Sequence, residues 1–411
     1  QISEVAKKFG LTTDTLRYYE KEGLIGPVEK GNNGIRNYSE EDIKRIQFVK
    51  CMRSAGLEIN FLKRYIKLFD DGDKTIKERR EILVEQRKIL KEKIDAMQEA
   101  YDKLNYKIDL YDKNILEKNL TKVYFTKEIT PENLIKMYET LGVDLKGKVA
   151  VKLSTGEAGG HYFLNPNLIK DLVHKVNGTI VECNTAYAGK RNTTKDHWET
   201  IKDHGFTDIA EVDIMDEEGD MPIPVENGSH LKENYVGEHL KNYNSILVLS
   251  HFKGHAMGGF GGALKNISIG IASSAGKAWI HTAGKTKNPE ELWDNLPEQD
   301  NFLESMADAC ESVINYMGKE NMVYINVANN LSVDCDCDSN PHAPEMADLG
   351  IFASTDPVAL DQACYDAVIN AEDPGKAALI ERMNSRHGIH TVEAASDLGL
   401  GNRNYEIVNI D

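Results

Sequence analysis

Positive charge is in short supply in this chain. Its 411 residues hold 49 Lys+Arg against 66 Asp+Glu, a formal net of −17. Taken whole, that argues against a nucleic-acid binder, because affinity for phosphate backbones comes from Lys and Arg. Long apolar runs are missing as well. None approaches the ~18 residues of a membrane span, so no membrane partner is expected. The chain opens Gln1-Ile2-Ser3-Glu4 on a helical pattern and not on a secretory signal. Six cysteines in 411 residues make no disulfide framework. A reduced, cytoplasmic protein is the expectation. Cys51, Cys310 and Cys364 sit in helical patterns and read as core. At ~150 residues per domain, the length predicts two or three domains.

The charge is unevenly spread. Residues 1–122 hold 26 Lys/Arg and 22 Asp/Glu, a net of +4, and residues 123–411 carry −21. Such asymmetry points to two different jobs. In the basic part, Ile2, Val5, Ala6 and Phe9 recur at helical spacing, Gly10 breaks the helix, and Thr12 or Thr13 can cap the next one. Two short helices about a Gly-containing turn form a helix-turn-helix, whose second helix, carrying Arg17 and Tyr18, enters the major groove. Gly31-Asn32-Asn33-Gly34 is a tight turn suited to the tip of a two-stranded wing. Arg36 and Tyr38 come after it, placed for phosphates or sugars. Ser39 with Asp42 is a capping box for a third helix carrying Lys44, Arg45, Lys50 and Arg53.

Leu16-Arg17-Tyr18-Tyr19-Glu20, Gly23-Leu24-Ile25 and Ile35-Arg36-Asn37-Tyr38-Ser39-Glu40-Glu41-Asp42-Ile43 together resemble the MerR family of bacterial transcription regulators over about the first 120 residues. The resemblance implies a winged helix-turn-helix over 1–75. It also implies contact with double-stranded promoter DNA by Arg17, Tyr18, Arg36 and Tyr38, to which Lys44 and Arg45 add. It further implies activation by twisting the promoter so that RNA polymerase engages it. Residues 76–116 contain no Gly or Pro. Ile76, Leu83, Leu90, Met97, Leu104 and Tyr111 repeat every seven residues, with Ile94, Tyr101, Ile108 and Ile115 offset by four. Two such series are the seam of a coiled coil. The resemblance makes residues 76–118 an antiparallel homodimer helix. Arg80 and Arg87 interrupt the companion series, so tight packing begins near Leu90. Metal-sensing relatives place cysteines around this helix. Here none lies between Cys51 and Cys183, so any signal comes from the residues C-terminal to the helix.

Residues 123–411, after a Lys-rich join at 113–127, alternate short apolar strands with helical patterns. Strands are expected at 147–153, 178–183, 245–250, 322–327 and 349–354, with helices at 166–176, 301–316 and 356–368. The pattern predicts an α/β domain with a mainly parallel sheet, whose ligands bind at the carboxyl ends of the strands. Polar residues collect at those ends: Cys183; His251, Lys253 and His255; Gly261, Gly262, Lys265 and Asn266; Cys335 and Cys337; Asp356. They read as one site. Cys335 and Cys337 flank one residue, and on an extended segment both thiolates face one ion. With Cys183 and a nitrogen from His251 or His255, the set suits an iron–sulfur cluster or, alternatively, zinc. Free thiols and hydrogen-bonded structural histidines are the plainer alternatives. The Gly-rich run could be a tight loop, or cradle phosphate through its N–H groups with Lys253 or Lys265 as counter-charge.

His251-Phe252-Lys253-Gly254-His255 with the Gly-rich run, Asp334-Cys335-Asp336-Cys337-Asp338 and Ser354-Thr355-Asp356-Pro357 resemble domain-of-unknown-function family 362, many of whose members carry iron–sulfur motifs. His255, the glycines and Lys265 are also similar to the cofactor loop of nickel-pincer lactate racemases, with the Gly-Gly-to-Lys spacing one residue different. Three functions stay open. The first is a dimeric regulator whose large domain senses a metal, a cluster, redox state or a small-molecule effector. The others are a metal- or cluster-dependent enzyme with a DNA-binding head, and a storage scaffold.

Overall fold

Side-chain caps start two of the helices of the first unit. In the computed structural model, residues 1–31, 34–118 and 120–411 are described, the side chains of 109–118 excepted. Residues Gln1–Asn114 form one unit and Ile115–Asp411 another. In the first, α1 (Ile2–Phe9) ends at Gly10, whose φ of 59° is the left-handed conformation glycine tolerates. Thr12 Oγ1 accepts from Thr15 N at 3.0 Å and starts α2 (Thr13–Lys21). Ser39 and Asp42 exchange their bonds at the start of α3 (Glu40–Ser54), as a capping box requires. Then come α4 (Ile59–Asp70) and α5 (Ile76–Lys118). Between α2 and α3, Lys30 and Arg36 form an antiparallel bridge and Gly31 N donates to Ile35 O at 2.9 Å, which makes a short wing. Asn32 and Asn33, at its expected tip, lie outside the described residues.

The core of this unit gathers Leu16, Leu24, Ile46, Val49 and Leu62. Cys51, expected in it, is exposed. It lies two residues beyond Val49, roughly 200° around the helix, and so faces water. On α5 the seam residues Ile94, Met97, Tyr101, Leu104 and Ile108 are each more than half exposed. The side chains of Tyr111 and Ile115 lie outside the described residues.

The second unit is built on eight strands: β1 (Thr121–Thr126), β2 (Val149–Lys152), β3 (Gly178–Glu182), β4 (Val212–Ile214), β5 (Ser245–His251), β6 (Met322–Ala328), β7 (Gly350–Ser354) and β8 (Tyr405–Asn409). Their order is β8-β1-β7-β6-β5-β2-β3-β4. From β6 to β4 all pairings are parallel, whereas β7 runs antiparallel to both β6 and β1. Both faces are covered. Along β5, Ile246 and Val248 join one core, and Leu247 and Leu249 the other, which is why the strand reads as an unbroken apolar run. Helices α6 (Pro131–Thr140), α7 (Pro166–Lys175) and α8 (Thr194–Asp203) cover one face. On the other, α9 (Ala263–Ser268), α11 (Gln299–Met317) and α12 (Pro357–Asn370) pack, with α10 (Ser274–His281) beside α11.

The five expected strands are present. The reading missed β1, β4 and β8. It placed β1 inside the Lys-rich join, because three lysines flank or interrupt the run from Thr121 to Lys127. Among the described residues, no helix is long and apolar enough to cross a membrane.

Candidate functional site

In the first unit, Arg17 and Tyr18 stand exposed on α2, Arg17 held by Asp14 at 2.7 Å, and Lys44 is exposed on α3. Glu20 Oε2 accepts from Arg36 Nε at 2.8 Å. Tyr38 is half-buried, its hydroxyl buried without a hydrogen-bond partner among the described residues, and burial raises its pKa. Arg45 departs from expectation. Asp70 at 2.6 Å and Glu41 at 3.1 Å bind its guanidinium, and it lies over the Phe69 ring. It ties α3 to α4, because two carboxylates have already claimed the charge a phosphate would need.

In the second unit, β2, β3 and β5 end beside one another, and the chain leaving β6 folds over them. Lys152 closes β2 and Glu182 closes β3, 2.9 Å apart and both buried. Arg191 reaches the other oxygen of Glu182 at 3.1 Å and Glu157 at 3.5 Å. Burial alone would raise Glu182, but Lys152 and Arg191 outweigh it and hold the carboxyl at about 2. Past β5, Lys253 lies 2.5 Å from Asp336 and His251 lies 3.0 Å from the same carboxylate. Burial would raise Asp336 too, yet His251 and Lys253 beside it draw it well below the usual range.

A glycine makes this closeness possible. Gly254 N donates to Ser332 O at 2.9 Å, and a Cβ on Gly254 would meet Val333 O at 2.3 Å. The cleft so formed has about 660 Å³ of empty space, part of it open to solvent. Cys183, Lys253, Gly261, Gly262, Lys265, Asn266, Cys335 and Cys337 all line it, as expected residues do when they share one site.

Several assigned roles do not survive the geometry. Asp356 is remote from the cleft, because β7 runs antiparallel to β6 and its carboxyl end lies at the opposite end of the sheet from those of β2, β3 and β5. Its carboxylate caps α12, accepting from Val358 N at 2.9 Å and Ala359 N at 3.0 Å. His251 has no nitrogen to offer a metal: Nδ1 faces Asp336 and Nε2 lies 2.6 Å from Asn329 O. His255 Nδ1 accepts from Gly258 N at 2.8 Å, which leaves its proton on Nε2. Burial, then Lys265 beside it, pushes His255 well below its ordinary pKa, so it is a neutral donor.

Cys183 donates its thiol to Ile271 O at 3.3 Å, and burial raises its pKa. Cys335 and Cys337 lie in a turn with their two sulfurs turned toward each other. Their sulfurs and His255 still offer atoms within 4.8 Å of one another. Two sulfurs are too few for the four-ligand cluster expected from the sequence. The Gly-rich run cradles a protein carboxylate and not a phosphate: Ala263 N and Leu264 N donate to Asp361 at 2.8 and 2.9 Å. Asn266 spends its amide N–H groups on Lys152 O and Ser250 Oγ, cross-linking β2 to β5.

The sequence reading missed Lys152, Glu182, Arg191 and Lys277, all buried cleft residues. The first two carried a signal. A charged residue closing an apolar strand covered on both faces is buried, and buried charge needs a partner.

Three family models match the chain: the MerR HTH family regulatory protein over 1–68, MerR, DNA binding over 43–106, and the domain of unknown function DUF362 over 149–366. The HTH-type transcriptional regulator AdhR of Bacillus subtilis (strain 168) is 56% identical over 87 residues, which are 21% of this chain and 62% of that protein. The chain spans between 60% and 64% of the length of the curated relatives it matches first. The crystal structure of HiNmlR, a MerR family regulator lacking the sensor domain and bound to promoter DNA, is 31% identical. The match covers 27% of this chain and 89% of that one, with a TM-score of 0.26. The lactate racemase apoprotein of Thermoanaerobacterium thermosaccharolyticum matches 61% of this chain and 57% of its own at 13% identity, with a TM-score of 0.35.

Proposed function

The chain belongs to the DUF362 family and carries MerR-type domains in its first 106 residues, and from that premise we propose that it is a dimeric transcription regulator whose α/β domain senses a small ligand. The observation that supports this reading is the cleft. In one chain with a DNA-binding head, buried charged groups from separate strand ends converge on one cleft. A ligand that favours one arrangement of the dimer shifts its population, and promoter affinity with it. Arg17, Tyr18, Arg36, Tyr38 and Lys44 are the residues assigned to DNA. The exposed seam of α5 is assigned to a second copy of this chain, and RNA polymerase is the expected partner at the promoter.

The test is footprinting of the protein's own upstream region. Protection is expected, and Arg17→Ala weakens it about tenfold, of the order of one specific arginine contact. Full affinity in Arg17→Ala removes the assignment.

A second reading, zinc as the effector, draws on the closeness of His255, Cys335 and Cys337. It requires the cysteine pair to be reduced and the His255 ring to release Gly258 N. Metal analysis of anaerobically reduced protein decides it: stoichiometric zinc lost in Cys335→Ala supports it, and metal-free protein removes it.

A further inference from the structure

Five cationic side chains converge on the cleft, and its carboxylates answer three. Glu182 takes Lys152 and Arg191, and Asp336 takes Lys253. Lys265 and Lys277 line the same space, and among the described residues neither has a carboxylate within ion-pair distance. Lys277, 4% exposed, donates to Ala272 O at 2.6 Å. Lys265 Nζ makes no hydrogen bond among the described residues.

Lys277 is buried and Lys265 is partly exposed to the cleft, and an ammonium drawn out of water without a counter-ion either sheds its proton or acquires an anion. Burial lowers Lys277 and brings Lys265 to about 8, Asp336 opposing and Lys152 and Arg191 adding to the fall. At neutral pH Lys265 therefore keeps most of its charge. The hydroxyl-bearing Ser154, Thr185 and Tyr187 line the space with them. Tyr187, Cys335 and Cys337 also line the wider cleft outside, so the cysteine pair stands at the inner mouth. Two lysines without a carboxylate at ion-pair distance favour an anion over a metal cation as the complement.

We infer that the cleft binds a small doubly charged oxyanion, a phosphate monoester or a dicarboxylate, between Lys265 and Lys277. A bound dianion holds the proton on both lysines, so that two ammonium groups face two negative charges, and the neutral donors fix its oxygens. This deepens the sensor reading and rests on it only for its consequence at DNA.

The experiment is calorimetric titration of the full chain at pH 7 with inorganic phosphate, glycerol phosphate, succinate and malate, each against acetate at matched ionic strength. Saturable binding of one class is expected, at least tenfold tighter than acetate, and the two arms distinguish phosphate from dicarboxylate. Lys265→Met and Lys277→Met weaken it at least tenfold, and Lys170→Met, exposed on α7, does not. A second measurement needs no variant: acetylation of Lys265 in the wild-type protein, read by mass spectrometry, slows severalfold with the bound dianion and not with acetate. No saturable binding by any of the four, undiminished binding in both methionine variants, or unprotected Lys265 overturns the inference. Dianion binding that leaves promoter affinity unchanged keeps the anion site and removes the sensor role. Absent binding with intact footprinting removes the site alone.

Discussion

A carboxylate buried between two cations holds the domain together only while it stays charged. Glu182 is such a group, held at about 2 by Lys152 and Arg191 against its own burial. Its folded pKa lies below its unfolded one, so its contribution is complete above about 4.5 and is lost as pH falls toward 2. Glu182→Gln leaves two buried cations without their partner, which costs about 3–5 kcal/mol. Thermal melts at pH 7 should show that loss, and the difference from wild type should shrink as pH falls below 4. A difference that stays constant across this range would mean that Glu182 is not the charged keystone of the cleft.

At the scale of elements, a loop and a helix carry the function. The turn bearing Cys335, Asp336 and Cys337 lies against the chain after β5 only because Gly254 has no side chain. Gly254→Ala forces Val333 away. Overpacking of this kind costs about 1–3 kcal/mol, and it should part Asp336 from Lys253. The expected readout is a lower melting temperature together with faster alkylation of Cys335 and Cys337 after reduction. An unchanged alkylation rate would show that the loop is held by other contacts.

On α5, Leu104 is 63% exposed within an apolar seam. Under the dimer proposal, Leu104→Lys places charge at a seam position. Sedimentation at micromolar concentration should then show monomer where the wild type is dimer, and promoter affinity should drop with it. A dimer unaffected by the lysine would place the interface elsewhere.

For the whole molecule, the net of −17 is a sum over unlike parts, +4 in residues 1–122 and −21 beyond. Under the proposed function only the basic arm releases counter-ions from DNA, so the salt slope of promoter binding belongs to it. Arg17→Ala should lower that slope by about 1, the value for one phosphate contact, and Lys265→Met should leave it unchanged. A slope that responds to Lys265 would place the acidic domain on the duplex.

The sequence by itself determined the elements and the domain types. Thr12, Ser39 and Asp42 cap helices by local bonds, heptads are a local repeat, and a strand covered on both faces advertises itself as an apolar run. That is why α1 to α3, α5 and five of the eight strands were legible. It also named half of the cleft, because Lys253, Lys265 and the cysteine pair stand in polar loops where an apolar pattern stops.

Tertiary structure alone decided the rest. Strand direction is a property of pairing: β7 turns antiparallel to β6 and carries Asp356 to the opposite end of the sheet, which no local pattern records. Partners are likewise set by folding. Whether His255 is a ligand or a donor depends on Gly258 N beside it, and whether Arg45 is free depends on Asp70, 25 residues away. The shortage of positive charge is true of the whole chain. Only the fold gathers five of its cations, from 152 to 277, around one cleft that has two carboxylates to meet them.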